Sequence, residues 1–316
     1  MVEVRKTDKN NYDCLFGDKA YDIFLTAEFN EINKHKVENI EYLTFYEGGD
    51  ILGGIICGFF EKKILSPFSA PYGGLRPAKN LSKSEIVAIA EAFKTYLDDN
   101  GLSCRITFPA PIDEDFVVKA NDRFRDALYE TGFDILYEDI NYHIDINTSK
   151  PDRDVLRRAR MAKKIGCTFM ASKFSESRMF DIYNVIYKNH IDLGYPMAMS
   201  LNDYIDISKT ADIYLFSVVL SGETISGAIC YRTREGILQP TGWGDMVSMR
   251  KTCPGMSFLA AELIFWIKEN VKDIRVLDLG PSSKHGIVNN GLCRFKESLG
   301  GAKTIKTTLE YLNLCK

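Results

Sequence analysis

Apolar and polar positions along the chain fall into two similar runs of strand and helix pattern. Residues 42–60, YLTFYEGGDILGGIICGFF, are two aromatic and β-branched stretches around Gly48-Gly49-Asp50, which predicts a β-hairpin. Residues 213–233, IYLFSVVLSGETISGAICYRT, repeat the plan with Ser221-Gly222 at the turn. Each hairpin leads to a helical pattern. In the first, residues 82–99, Ser82 and Glu85 have the spacing of a capping box. The second, residues 255–270, is apolar on most faces, which predicts a buried helix. A short apolar strand follows in each case, CRITF at 104–108 and IRVLDL at 274–279. A short helix then precedes the closing strands, NDRFRDALYE at 121–130 and NNGLCRFKES at 289–298.

Three weak sequence matches run in the same order at nearly one offset, so they support one another. DILGGIIC (50–57) resembles ETISGAIC (223–230), which pairs Gly54 with Gly227. YLDDNGLSCRITF (96–108) resembles WIKENVKDIRVLDL (266–279). FRDAL (124–128) resembles FKESL (295–299), which pairs Phe124 with Phe295 and Arg125 with Lys296. The chain is read as a tandem duplication, with a boundary in the polar, proline-bearing stretch INTSKPDRD at 146–154. The predicted domains are residues 1–150 and 151–316. The second half gains extra helices, 154–166 and 175–191. Strand–helix–strand order implies a mixed sheet with local parallel pairing, an α/β fold of α+β character.

Composition narrows the class. Hydrophobic residues are 45% and charged residues 26%, which suits a globular core. The longest apolar run, ILGGIICGFF, is too short to span a bilayer, and the N-terminus lacks a signal-peptide pattern, so a cytoplasmic protein is expected. A net charge of -3 argues against general nucleic-acid coating, and no DNA partner is expected. The eight cysteines form no CxxC pair and the four histidines show no metal spacing. Reduced thiols and no bound metal are predicted.

Two hairpin strands, a long helix, a buried strand and a final helix–strand pair make the core of the GNAT acyltransferase fold. Two copies in one chain resemble the FemAB family, the tandem-GNAT aminoacyl transferases of peptidoglycan bridge formation. The likeness in sequence lies in LRRARMAKKIGCTF (156–169), similar to the family's basic helix, and in LDLGPSS…GLCRFKESLGG (277–301), similar to its closing motif. In that family the lysine of Phe-Lys is implicated in stabilising charge on the carbonyl oxygen. The resemblance carries that role to Lys296, with Phe295 beside it; the alternative is a solvated lysine next to a buried phenylalanine.

Further candidates follow from the same placement. RKTCPGMS (250–257) stands where CoA-dependent members cradle a pyrophosphate. Arg250 and Gly255 fit, while Cys253 replaces a glycine and Pro254 removes an N–H. Arg153, Arg157, Arg160 and Lys164 share one helix face, which suits a tRNA backbone or a nucleotide-sugar diphosphate as well as plain solvation. GWGD (242–245) places Trp243 and Asp245 at a strand end, with Asp245 as a proton acceptor or a turn cap. His190, Tyr195 and, in the first half, Arg76 of SAPYGGLRP are acceptor-facing candidates. Where peptidoglycan enzymes often carry a phosphate-binding arginine, this chain has Asp192.

The resemblance implies an acyltransferase with no tightly bound cofactor. Aminoacyl-tRNA or acyl-CoA would be its co-substrate, and an amine of a cell-envelope or nucleotide-sugar precursor its acceptor. An acetyl-CoA-dependent N-acetyltransferase of sugars or small amines, and a non-catalytic binding module, are the alternatives.

Overall fold

Both predicted hairpins form. The computed structural model describes residues 1–16 and 22–313. Cys315 lies outside the described residues, and the other seven cysteines are free thiols. The first stretch of chain gives β1 (Glu3–Thr7), α1 (Lys9–Phe16), α2 (Ala27–Ile32), β2 (Asn39–Glu47), β3 (Asp50–Phe60), β4 (Lys63–Ser66), β5 (Arg76–Pro77), α3 (Lys83–Asp99), β6 (Ser103–Thr107), α4 (Phe116–Glu130) and β7 (Asp134–Asp145). The second gives α5 (Arg153–Ile165), β8 (Thr168–Lys173), α6 (Glu176–Leu193), α7 (Leu201–Ile207), β9 (Ile213–Leu220), β10 (Glu223–Arg234), β11 (Ile237–Asp245), α8 (Gly255–Asn270), β12 (Val276–Pro281), the two-residue strands β13 (Ser283–Lys284) and β14 (Ile287–Val288), α9 (Asn290–Ser298) and β15 (Ala302–Tyr311).

The duplication is present in the topology and begins earlier than the sequence matches. β1-α1-α2 precedes the first hairpin as β8-α6-α7 precedes the second. The helix at 176–193 is therefore no addition but the counterpart of α1, and only α5 is extra. In each repeat two antiparallel pairings are followed by a third and then a parallel one: β1-β2-β3-β4 with β4 parallel to β6, and β8-β9-β10-β11 with β11 parallel to β12. Gly54 is the fifth residue of β3 and Gly227 the fifth of β10. A Cβ on Gly54 would meet the Tyr12 and Phe16 rings of α1 at 2.8 and 2.9 Å, and one on Gly227 would meet Ile182 of α6 at 2.7 Å. Both glycines thus let the repeat's first long helix settle onto its central strand.

The chain divides into two compact units, and their limits depart from the expected cut near residue 150. One unit holds residues 1–140, 283–287 and 304–316; the other holds 141–282 and 288–303. The reason is strand pairing. In the first unit the outer edge of β6 is covered by the closing strand of the second repeat, with β15 antiparallel to it at Thr308↔Thr107 through Tyr311↔Cys104. A Lys63–Glu310 ion pair spans the same sheet. In the second unit the edge of β12 is covered by β7, the closing strand of the first repeat, at Val276↔Asp145 through Pro281↔Asn141, with a register shift between Asp278 and Gly280. Each repeat leaves a central strand with unpaired backbone groups, and the closing strand of the other repeat satisfies them.

The core of the first unit is a set of edge-on aromatic contacts, Phe45–Phe93 and Phe108–Phe124. α3 carries the predicted capping box at Ser82 and Glu85. In the second unit Trp266 of α8 meets Tyr214 and Phe216 of β9 edge-on, and α5 packs on α8. Among the described residues no helix is long and apolar enough to cross a membrane.

These pairings make the fragments unequal. Residues 141–303 carry every pairing partner of β12 and should unfold in one cooperative step in a circular-dichroism melt. Residues 151–316 lack the β7 partner of β12 and carry an orphaned β15; they should lose that transition. Equal cooperativity in both fragments would contradict the exchange of closing strands.

Candidate active site

β11 and β12 run parallel for only two residue pairs, Ile237↔Val276 and Leu238↔Leu277. Pro240 follows, has no N–H to offer a ladder, and coincides with a register shift between β10 and β11 at Ile229/Cys230. Beyond that point the strands part, and a cleft of about 610 Å³ opens beside Trp243, Gly244 and Asp245 at the end of β11. The carboxyl ends of parallel strands are where open α/β sheets place ligands. The cleft lies wholly in the second unit. Its other walls are the end of α6 with Asn189 and His190, the loop residue Tyr195, Arg250 with the first turn of α8, and the face of α9 bearing Leu292 and Phe295. Arg158 of α5 borders it as well.

Six predicted residues meet here: Trp243, Asp245, Arg250, His190, Tyr195 and Phe295. Their arrangement assigns them unequal parts. Asp245 is buried, and its carboxylate accepts a forked pair from Arg250, Nη2 at 2.6 Å and Nε at 3.0 Å. Asn189 Nδ2 donates to the same carboxylate at 3.0 Å and to the Asp245 carbonyl at 2.7 Å. The carboxylate is thus committed to orienting Arg250, which a general base could not be while that pair holds. The hydrogen bond to Asp245 also keeps the Arg250 pKa above its already high value, so the guanidinium is a fixed cation at the cleft wall.

Beside it, α8 begins at Gly255 with no side chain capping its amides. The first N–H groups of a helix have no intrahelical acceptor and sit at the positive end of its dipole. Pro254, Met256 and Ser257 line the cleft at this point. Gly255 itself is buried: a Cβ there would stand 2.5 Å from Ser226 Oγ of β10, so its side-chain position serves helix–strand packing.

His190 Nδ1 lies 3.2 Å from the Pro196 carbonyl. A carbonyl only accepts, so this contact places the ring proton on Nδ1 and makes Nε2 the basic nitrogen. The His190 ring meets Tyr195 edge-on, and Trp243 stands 5.7 Å from Phe295, centroid to centroid.

Lys296 occupies another place than expected. It is 2% exposed and not among the cleft-lining residues. Its Nζ donates at 2.8 Å to the carbonyls of Gly280 and Pro281, at the bulged end of β12. The same strand end is held by Asp278, which accepts from Asn141, Gln239 and the Gly280 amide. The adjacent Glu297 accepts from Tyr142 at 2.6 Å. With its inner side pinned this way, α9 presents Phe295 to the cleft. The repeat counterparts differ in kind: Phe124 is core, and Arg125 is paired with Asp122 and Asp126.

The remaining candidates lie elsewhere. Arg157 is exposed and paired with Asp154 at 2.6 Å, Arg160 Nε turns to the Leu156 carbonyl at 3.3 Å, and Lys164 is exposed. None of the three lines the cleft; along α5 only Arg158 does, because it stands one position off the face that the spacing favoured. Arg76 is buried in the first unit, paired with Asp13 at 2.5 Å and lying over the Phe16 ring. Its loop is a plug rather than an acceptor-facing surface. Gly73 N donates to Thr107 O, and Asn121 bonds both backbone groups of Leu75. This segment fills the region past β4 and β6 that stands open past β11 and β12. Asn189 and Asn289 were missed by sequence reasoning, while Arg158 counted only as an extension of the basic patch on its helix. Asn189 lies within the last turns of α6 and has no local motif; Asn289 had a signal as the cap of α9, its side chain accepting from the Leu292 amide.

No protein-family model matches the chain, and no curated protein does. Solved structures match it over nearly its full length. FemX covers 98% of this chain and 97% of its own, with a TM-score of 0.67 and 13% identity. L-PGS from Bacillus licheniformis covers 99% and 94%, with a TM-score of 0.62 and 14% identity. A tandem GNAT protein from the clavulanic acid biosynthesis pathway covers all of both chains, with a TM-score of 0.53 and 10% identity. Such identities speak to fold, and the fold is the FemAB-type tandem GNAT fold.

The burial of Lys296 changes what its removal does. Lys296→Met would take the ammonium donor from the buried Gly280 carbonyl and the half-buried Pro281 carbonyl, at a cost of about 2–3 kcal/mol in stability. Urea unfolding should read this loss directly. A variant as stable as the parent would mean that the ammonium is not the tie between α9 and β12.

Proposed function

We propose that the chain is an acyltransferase whose donor enters the cleft of the second unit and whose acceptor is an amine. The observation that carries this reading is the Asp245–Arg250 fork beside the uncapped start of α8, at the mouth of the parted strands. A guanidinium and helix amides together suit a phosphate. The donor is then a phosphate-bearing carrier of an acyl group, aminoacyl-tRNA in the first reading. The likeness to FemX in fold supports that choice, as do Cys253 and Pro254, which replace the glycine and the amide expected of a CoA loop. The acceptor class that follows is an amine of a cell-envelope or nucleotide-sugar precursor.

The reaction needs little from the protein beyond placement. The amine attacks the acyl carbonyl, negative charge gathers on its oxygen, and the ester or thioester oxygen or sulfur leaves. Trp243 and Phe295 form the apolar wall against which the acyl group is held, with Tyr195 at the rim. Arg250 or the α8 amides face the developing charge and the carrier phosphate. His190, basic at Nε2, receives the amine proton, a task that Asp245 cannot share while it holds Arg250. Lys296 acts through α9, as a positioning residue for Phe295.

Arg250→Gln keeps a polar side chain and removes the charge. It should weaken donor binding about tenfold to a hundredfold, the worth of a charge-assisted contact, and it should lower the melting temperature as well, because the buried Asp245 carboxylate loses its charged partner, so binding is read well below the melt of the variant. Titration with a short aminoacyl-RNA acceptor stem and, separately, with acetyl-CoA tells the two donors apart. Saturable binding of the RNA alone fits the first reading. Binding of acetyl-CoA alone makes the chain an N-acetyltransferase, and donor binding without turnover on any amine acceptor makes it a binding module. Donor binding that ignores Arg250 would overturn the placement of the site.

A further inference from the structure

The thiols of Cys167 and Cys253 face each other with Sγ atoms 3.2 Å apart, although 86 residues separate them in sequence. Both are buried. Cys167 follows Gly166, the left-handed cap of α5, and its amide bonds the Ala162 carbonyl. Cys253 ends the turn that carries Arg250, and its amide bonds the Met249 carbonyl. Cys253 also borders the cleft, three residues past Arg250. A disulfide bond is about 2.05 Å long, so roughly 1.1 Å of approach separates this contact from a bond.

We propose that Cys167 and Cys253 form a reversible disulfide, an oxidative modification site set into the cleft wall. The step balances with a peroxide as oxidant: two thiols and one hydrogen peroxide give one disulfide and two waters. The sulfurs give up two electrons and the peroxide oxygens take them. The cleft admits a small oxidant to Cys253, and the sulfenic acid formed there is displaced by the Cys167 thiol. The bond ties the end of α5 to the turn bearing Arg250, so the group that faces the donor phosphate is held by covalent linkage instead of packing alone. Burial pushes the Cys167 thiol up to about 12, with the Cys253 hydrogen bond adding to the rise. The pair is therefore a slow responder that stays reduced against brief exposure and closes under sustained oxidation.

The test uses the full chain and reads mass, independently of any enzymatic activity. Purified protein is held in hydrogen peroxide, unfolded in iodoacetamide, digested without reductant and examined by mass spectrometry. The expected result is a linked peptide pair containing residues 167 and 253, released by dithiothreitol. A melting temperature roughly 5–10 °C above that of the reduced protein should accompany it. Cys167→Ser should abolish the linked pair and the shift together. Should that variant fold poorly, the wild-type digest decides alone. Recovery of both thiols alkylated after prolonged oxidation, or of Cys253 as a sulfinic acid with Cys167 alkylated, would overturn the proposal.

Discussion

The parting of β11 from β12 is the constraint on which the rest of the site depends. Two parallel strands that stayed paired would bury Trp243, Gly244 and Asp245 in a continuous sheet. Instead the ladder stops at Leu238, just before Pro240, and the end of β11 is free to face a cleft. Everything else stabilises that opening. Asp278 and Lys296 tie down the end of β12 with side-chain hydrogen bonds where pairing with β11 has ceased and the register with β7 is bulged. Asn189 and Arg250 do the same for Asp245 at the end of β11. Buried charges of this kind cost desolvation and are tolerated when hydrogen-bonded, as Asp245 is to Arg250 and Asn189 and Lys296 to the Gly280 and Pro281 carbonyls.

The two repeats share a topology and solve this gap differently. In the first unit the chain after β4 folds back, and Tyr72, Leu75 and Arg76 are buried with it. Asn121 of α4 fastens the plug through Leu75. In the second unit β11 continues past the parting point to Asp245, and the gap stays open as the cleft. The asymmetry explains why the residues of chemical interest gather in one repeat, and why Arg125, the repeat partner of Lys296, is a partly exposed ion-pair member rather than a buried tie.

Much of this was legible in the sequence. Hairpin turns, the capped α3 and the apolar α8 are local patterns, and the constant offset of three poor matches was enough to reveal the duplication. Six of the cleft's residues were named from motif position alone. What local pattern cannot carry is pairing between distant segments. The closing strands read as ends of their own repeats, whereas each completes the other's sheet, so the expected boundary at residue 150 missed the true units. The same limit applies to side chains. Phe-Lys in a short helix marks two adjacent residues but not which one turns inward; helical geometry sets Phe295 toward the cleft and Lys296 beneath it. The cations of α5 were grouped by spacing around Arg153, Arg157, Arg160 and Lys164, yet the helix lies so that Arg158, at the margin of that patch, is the one that reaches the cleft.

On the proposed function, the donor occupies the opening past β11 and β12. Amide hydrogen exchange with and without donor tests it most directly, because it reports position without requiring the acceptor. An aminoacyl-RNA stem or acetyl-CoA, whichever binds, should slow exchange in residues 243–257 and 289–295 and leave residues 67–76 of the first unit unchanged. Slowing confined to the first unit, with residues 243–257 and 289–295 unaffected, would contradict the account.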